Sequence, residues 1–107
     1  MNGHKDDTGK PAAGVLIDFS QALEQVAEVG TYGALKYARG NWLQVNNAIE
    51  RYYDAMWRHL LASGRETCDP ESGHTHLAHV AWNILAVLEL SARNANNEPH
   101  ENPYLSQ

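Results

Sequence analysis

Three stretches of the chain repeat apolar residues with the spacing of an α-helix, and no stretch alternates polar and apolar residues as a strand would. The first stretch has apolar residues at steps of three, four and seven: Leu16, Phe19, Leu23, Val26, Ala27 and Ala34. Two further stretches follow within the 107 residues of the chain. The sequence therefore predicts an all-α fold, a small helical bundle with three main helices.

Residues that start and stop helices set the expected bounds of the first helix. Asp18 or Ser20 is expected to cap its start, and Gly40 is expected to mark its end. Gly30 and Gly33 lie inside it and each weakens a helix by up to ~1 kcal/mol relative to alanine. We therefore expect either a break at these glycines or an element packed closely against them.

The second helix is predicted over about residues 47–63, with Gly64 as its stop. Its apolar stripe consists of Ile49, Tyr52 or Tyr53, Met56 and Leu60. The third helix is predicted over about residues 72–93, with Ser72 as its N-cap. Its apolar face, expected to point into the core, consists of Leu77, Val80, Ala81, Ile84, Leu85 and Leu88.

The length of the chain fits a single domain. Residues 1–13 are predicted to be a flexible N-terminal arm, residues 14–93 the helical domain and residues 94–107 an irregular tail. Because a domain this small covers the apolar faces of its helices poorly, we expect oligomerisation to complete the bundle.

Charge and hydropathy exclude several classes of partner. The net charge of −5 argues against a nucleic-acid scaffold, and no apolar run approaches the ~18 residues of a membrane span. Cys68 is the single cysteine, so no intramolecular disulfide or thiolate zinc site is expected. We therefore predict a soluble cytoplasmic domain that binds neither nucleic acid nor membranes.

Groups able to bind a metal ion are concentrated between residues 50 and 83. Glu50 and Asp54 share one face of the second helix. The following loop holds three carboxylates, and the third helix carries a polar stripe: Glu66, Asp69 and Glu71, then His76, His79 and Asn83. Each group alone also has an ordinary structural explanation: a solvated helix face for the carboxylates of the second helix, charges at a helix N-terminus for the loop carboxylates, and exposed or hydrogen-bonded core histidines for His76 and His79. Together they can converge on a divalent cation if the two helices pack antiparallel, and imidazole would favour Mn²⁺ or Zn²⁺ over Mg²⁺. The HExxH motif and the His-Asp doublet of other metal hydrolases are missing.

A second cluster, at residues 33–42, combines cations with flat aromatic rings. It contains Lys36, Tyr37, Arg39, Asn41 and Trp42. Cations neutralise phosphate and aromatic rings stack on purines, so the cluster suits a nucleotide. A basic helix C-terminus followed by a hydrophobic tryptophan anchor explains the same residues equally well.

Four segments carry a resemblance to a known family. They are GALKYxxxNW at 33–42, YDAMWRHLLA at 53–62, RExxDPESG at 65–73 and HLAHxxxN at 76–83. In this order they resemble the phage-type dATP/dGTP diphosphohydrolases (the MazZ group), relatives of the all-α MazG-like nucleoside triphosphate pyrophosphohydrolases. The similarity extends over roughly residues 20–90. The helical EExxE…ExxD signature of the MazG-like enzymes is not present; Glu66 and Asp69 have the ExxD spacing, but in the predicted loop.

The resemblance implies a metal-dependent enzyme that hydrolyses dGTP or dATP between the α- and β-phosphates, releasing the monophosphate and pyrophosphate. It implies Mg²⁺ or Mn²⁺ as the cofactor and a homo-oligomer, a dimer or a tetramer. In phages that replace adenine with 2-aminoadenine, such enzymes supply dGMP for the modified nucleotide and remove dATP, and they act in the cytoplasm of the host cell.

The resemblance and the polar clusters together suggest a role for each candidate residue of this chain. The expected metal ligands are Asp54, Glu66, Asp69 and His79, with Glu50 in reserve. Lys36 and Arg58 are expected to contact phosphate, and His59 to position phosphate or carry a proton. Sugar and base are assigned to Tyr37, Asn41, Trp42 and Asn83. Two alternatives remain open: a metal hydrolase of another phosphate substrate, and a helical module that binds a nucleotide or partner without catalysis.

Overall fold

A computed structural model describes residues 3–97 and consists of three α-helices and two short 3₁₀-helices. In chain order these are a 3₁₀-helix (Ala13–Phe19), α1 (Ser20–Lys36), a second 3₁₀-helix (Asn41–Gln44), α2 (Ala48–Ser63) and α3 (His76–Asn97). The described residues contain no strand, so the prediction of a small all-α bundle is confirmed. Over the same residues, no helix combines the length and apolar character needed to cross a bilayer.

The bounds of α1 differ from the prediction at both ends. Ser20 is its first residue and no side chain caps it, because the preceding 3₁₀-helix runs directly into α1 and the Ser20 N–H donates to the carbonyl of Ile17. At the other end α1 stops at Lys36 rather than at Gly40. Gly40 has a φ of 86°, a left-handed conformation that suits glycine, and it starts the second 3₁₀-helix instead.

Thr75, and not Ser72, caps the start of α3. The Ala78 N–H donates to Thr75 Oγ1 over 3.1 Å, whereas the Ser72 hydroxyl lies 2.7 Å from His79 Nε2. The helix also continues to Asn97, so residues 94–97 of the predicted tail are helical. The rest of that predicted tail lies outside the described residues.

Contacts between side chains show that α2 and α3 pack antiparallel. His59, near the end of α2, stacks on His79 near the start of α3, with ring centroids 4.2 Å apart. Tyr52, near the start of α2, meets Trp82 farther along α3 at 5.6 Å. The antiparallel arrangement that the metal-site hypothesis required is therefore present.

The face of α3 that points inward is the polar one, which reverses the predicted orientation. His76, His79 and Asn83 are buried, with exposed fractions of 4%, 8% and 6%. Leu77 and Leu88 of the predicted core face are 60% and 64% exposed. The other buried residues of α3 are smaller ones, namely Ala78, Ala86 and Val87. This is physically acceptable because every buried side-chain nitrogen or oxygen of the described residues has a hydrogen-bond partner.

Gly30 lets α1 approach α3 closely. Of the two alternatives for the glycines in this helix, a break or a closely packed element, the structure shows the second. A Cβ atom at this position would lie 3.1 Å from Trp82 Nε1, while one at Gly33 would meet nothing within 4 Å. The helix runs unbroken through both glycines. Gly30 therefore allows the indole of Trp82 to pack against the backbone of α1.

The two glycines are expected to respond differently to alanine. Gly33→Ala should raise the free energy of unfolding by about 0.5–1 kcal/mol, because alanine favours the helix and the added methyl meets no atom. Gly30→Ala should show no such gain, because its methyl displaces Trp82. Urea unfolding of both variants measures the difference. Equal gains in the free energy of unfolding would show that Trp82 does not pack against α1 at Gly30.

The N-cap gives a second stability prediction. Thr75→Ala should lower the free energy of unfolding by ~1 kcal/mol, because the Ala78 N–H loses its acceptor. Thr75→Ser is the matched control, since it keeps the hydroxyl oxygen and should unfold close to the wild type. A Thr75→Ala variant as stable as Thr75→Ser would contradict the assignment of the cap.

Candidate functional site

The loop between α2 and α3 fixes the position of Asp69. Its backbone N–H donates to the carbonyl of His74 over 2.8 Å, and its own carbonyl accepts from the Gly73 N–H over 2.7 Å. Its side-chain Oδ1 accepts from the Glu71 N–H over 2.9 Å. Gly73 has a φ of 77°, so glycine is needed for this turn. The second carboxylate oxygen, Oδ2, points to α3 and lies 3.7 Å from His79 Nε2.

Three side chains from α2, the loop and α3 form a cluster with metal-binding geometry. His59, Asp69 and His79 each offer a ligand atom, and these atoms lie within 4.8 Å of one another. The rings of His59 and His79 are nearly parallel, with an interplanar angle of 7°. Opposite ligands of one ion lie ~4.2 Å apart at bond lengths of ~2.1 Å, so a small contraction of the cluster would fit a divalent cation.

The cluster contains two of the four predicted metal ligands, Asp69 and His79. Glu66 lies outside it and accepts a hydrogen bond from His76 Nε2 over 3.0 Å. Asp54 is exposed on α2 and lines the neighbouring cleft, and Glu50, the reserve ligand, is exposed in the first turn of α2.

Burial favours the neutral form of the two imidazoles of the cluster. It lowers the pKa of His79 to about 4, with a further lowering by His59 that Asp69 opposes. It also lowers the pKa of His59, again with Asp69 acting in the opposite direction. Neutral imidazole is the form in which histidine binds metal ions.

A cleft of about 840 Å³ adjoins this cluster. All four residues predicted to contact sugar and base line it: Tyr37, Asn41, Trp42 and Asn83. Tyr52 and Trp82 add aromatic surface, and the Trp82 ring meets that of Trp42 edge-on at 6.2 Å. The Tyr52 hydroxyl donates to the Trp42 carbonyl over 2.7 Å, which fixes the segment that carries Trp42.

The cations that line the cleft are arginines. Arg39, Arg51 and Arg58 all lie along it, and no ion pair involves them within residues 3–97. Lys36, predicted to contact phosphate, is not among the residues that line the cleft. Its ammonium group lies 2.6 Å from the carboxylate of Glu71, which raises the pKa of Lys36 and lowers that of Glu71.

His79 joins the two parts of the site, because it belongs to the His-Asp cluster and also lines the cleft. Asp54 and Arg58, one helical turn apart on α2, line the same cleft. A molecule with a flat base and a charged chain could therefore place its base against the aromatic rings and its charged groups beside the arginines and the cluster.

Several residues of the site were not expected from the sequence, namely Arg51, Tyr52, Ser72 and Trp82. Trp82 had a recognisable signal: it lies three residues after His79, on the stripe that already contained His76 and Asn83. Tyr52 is one of two alternatives, with Tyr53, for the predicted apolar stripe of the second helix, and its ring packs against Trp82. Arg51 and Ser72 had no distinguishing pattern.

Comparison with known proteins places these features in a family. A family model described as "dATP/dGTP diphosphohydrolase, N-terminal" matches residues 1–100. A protein of Salmonella phage PMBT28 named "dATP/dGTP diphosphohydrolase" is 38% identical over 100 residues, which cover 92% of this chain and 32% of the phage protein. The chain thus spans about a third of the length of this relative. No solved structure matches the chain.

The segments that suggested the family in the sequence all lie within the matched residues and surround the cluster and the cleft. Because the family model covers most of the chain, this protein belongs to the dATP/dGTP diphosphohydrolase N-terminal family.

Proposed function

We propose that this chain hydrolyses a purine deoxynucleoside triphosphate, dGTP or dATP, to the monophosphate and pyrophosphate in a metal-dependent reaction. The observation that carries the proposal is the junction at His79, where an arginine-lined aromatic cleft meets a His-Asp cluster. The name of the 38% identical phage protein supports the same substrates.

The cleft suits a nucleotide in size and in lining. Its volume of about 840 Å³ lies within the ~300–1,000 Å³ of small-molecule sites. Trp42 and Trp82 provide flat surfaces for a purine, and aromatic stacking on a base contributes ~1–3 kcal/mol. Tyr37, Asn41 and Asn83 are assigned to base and sugar, as the sequence predicted.

The arginines are assigned to the triphosphate. Guanidinium groups form paired hydrogen bonds to phosphate oxygens, and Arg39, Arg51 and Arg58 carry no competing carboxylate among the described residues. Lys36 forms an ion pair with Glu71, so we propose that it stabilises the loop between α2 and α3 and does not contact phosphate. Arg58 lines the cleft together with Asp54 and His79, so we assign it to the phosphates nearest the His-Asp cluster.

His59, Asp69 and His79 are the residues that would hold a divalent cation, with Mg²⁺ and Mn²⁺ as the ions that the family resemblance implies. A bound cation would supply charge neutralisation at the phosphate oxygens and lower the pKa of a water molecule. In the overall reaction water adds to the α-phosphorus, the bond from that phosphorus to the bridging oxygen of the β-phosphate breaks, and pyrophosphate leaves. The arginines would orient the triphosphate and stabilise the charge that develops on the leaving group.

In a phage with 2-aminoadenine in its DNA, this reaction would supply dGMP and remove dATP in the host cytoplasm. That role is what the resemblance implies, whereas the name of the phage relative supports only the two substrates.

We also propose that two or more copies of the chain associate through the outward face of α3. Leu77, Ile84, Leu85 and Leu88 form an exposed stripe along it, with Leu85 48% exposed. The first 3₁₀-helix, which precedes α1, carries exposed apolar side chains of its own, Val15, Leu16, Ile17 and Phe19. Apolar patches of this extent on a small domain are typical of protein interfaces.

Enzyme assays test the proposed reaction. Incubation with dGTP and Mn²⁺ should release dGMP and pyrophosphate in equal amounts, as measured by anion-exchange chromatography. Arg58→Ala should lower kcat/KM by ~10–100-fold, the equivalent of one lost charged hydrogen bond. Arg65→Ala is the matched control: Arg65 is exposed in the loop and does not line the cleft, so its activity should equal that of the wild type.

Three outcomes would count against this reaction. Release of dGDP and phosphate would place the cleavage at the wrong bond. Metal-dependent thermal stabilisation by dGTP without turnover would support a binding module instead. Turnover of sugar phosphates in preference to dGTP and dATP would support a different hydrolase.

The proposed assembly is tested by light scattering after gel filtration. The wild type should elute with a mass at least twice that of one chain, and Leu85→Glu should shift it toward the monomer because a charge then lies within the apolar stripe. Arg65→Glu introduces the same side chain at an exposed loop position outside the stripe and should keep the wild-type mass. A monomeric wild type at micromolar concentration would exclude the assembly.

A further inference from the structure

We infer that the His59–Asp69–His79 cluster selects a first-row transition-metal ion such as Mn²⁺ or Zn²⁺ over Mg²⁺, and that Glu66 and His76 position His59 for this ion. The inference rests on the proposed function for its need of a divalent cation, but it concerns metal binding alone and is tested without substrate.

The first argument is the pair of residues behind His59. The Glu66 carboxylate can only accept, so the hydrogen bond of 3.0 Å to His76 requires the proton of neutral His76 to lie on Nε2. The other nitrogen of His76, Nδ1, is then an acceptor, and it lies 2.9 Å from His59 Nδ1. His59 must therefore carry its proton on Nδ1, which leaves the lone pair of its Nε2 available to a metal ion.

This chain has the arrangement found behind metal-binding histidines. Such histidines donate their second ring N–H to a carboxylate, a carbonyl or another acceptor, which fixes the tautomer and the ring orientation. Here the acceptor is His76, which is 4% exposed and itself held by Glu66. Glu66, expected from the sequence to bind the metal directly, would thus act through His76 and His59.

The second argument concerns the two other members of the cluster. His79 Nε2 lies 2.7 Å from the Ser72 hydroxyl, which can donate to it, so this nitrogen carries a lone pair that a bound metal ion would take over from the hydroxyl. Asp69 uses Oδ1 to accept from the Glu71 N–H, and Oδ2 remains the oxygen nearest to His79. Each member therefore offers one defined ligand atom.

The chemistry of the three ligands sets the metal preference. Mg²⁺ binds oxygen and keeps several of its waters, whereas two imidazole nitrogens with one carboxylate suit Mn²⁺, Co²⁺ or Zn²⁺. A set of only three protein ligands would also leave coordination positions for water or phosphate.

Calorimetric titration of the chelator-treated protein with each chloride salt tests the preference. We expect one Mn²⁺ or Zn²⁺ per chain, with Mg²⁺ binding at least ~100-fold more weakly. His79→Ala and Asp69→Asn should each weaken Mn²⁺ binding by at least tenfold, and Glu66→Gln by ~10–100-fold. His4→Ala and Asp18→Asn are matched controls on exposed residues outside the cluster, and their Mn²⁺ affinity should equal that of the wild type.

Pulsed electron paramagnetic resonance of the Mn²⁺-loaded wild type detects nitrogen ligands of the metal directly, so this first measurement needs no variant. Couplings to imidazole nitrogen are expected, and Glu66→Gln should change them, because the donor strength of His59 changes. A purely structural role of Glu66 would lower stability without altering these couplings.

The inference is overturned if Mg²⁺ binds as tightly as Mn²⁺, if no nitrogen coupling is observed, or if Asp54→Asn abolishes binding while Asp69→Asn retains it. Tight Mn²⁺ binding at the cluster without pyrophosphate release would refute the proposed enzyme activity but support the inferred metal site. Pyrophosphate release by the wild type, combined with no Mn²⁺ binding at the cluster in the substrate-free titration, would overturn the inference and leave the proposed function standing.

Discussion

The buried contact between α2 and α3 is the constraint on which the rest of the structure depends. Its centre is the stack of His59 on His79, with His76 and Asn83 buried in the same interface. Polar groups in such an interface are tolerated only if each is hydrogen-bonded, and an unsatisfied one would cost ~1–3 kcal/mol. Ser72, Glu66 and the backbone carbonyl of His79 provide these partners. The groups that stabilise the pairing of the helices are therefore the groups that form the candidate site.

This use of the inner face explains the surface of the molecule. Since the polar stripe of α3 faces α2, the leucines of the same helix face outward. A single copy then has a small apolar core, with Val26, Val29, Ile49 and Met56 among its members. The proposed association of copies would bury these outward-facing leucines. The candidate site and the proposed assembly would then both result from the same orientation of α3.

The sequence predicted all three helices because their signals are local, although the bounds of α1 and α3 differ from the prediction. Apolar periodicity placed the start of α2 within one residue of the observed start, and Gly64 correctly marked its end. The orientation of α3 could not be predicted in the same way, because periodicity defines two faces and does not tell which one another helix will cover. Burial of leucines is the usual outcome, and it failed here because the histidines find partners on α2 and the loop.

The site shows the same division between local and long-range information. The cluster of Tyr37, Asn41 and Trp42 was evident in the chain, and these residues do line one cleft with Asn83. The carboxylates could not be ranked, because Asp54, Glu66 and Asp69 are chemically alike in the sequence. Their difference comes from distant contacts: Asp54 lies on the wall of the cleft, Glu66 is occupied by His76, and hydrogen bonds within the loop fix Asp69.

The loop also explains why Asp69 can be placed so firmly without lying on a helix. Glu71, two residues farther on, accepts hydrogen bonds from Tyr32 and Lys36 of α1, while its own N–H holds the Asp69 carboxylate. The loop is thus attached to α1 through Glu71 and to α3 through contacts that include the hydrogen bond from the His76 N–H to the Thr67 carbonyl. All three helices therefore determine the distance between Asp69 and His79. A change in the packing of α1 would alter the geometry of the cluster even though α1 supplies none of its three members.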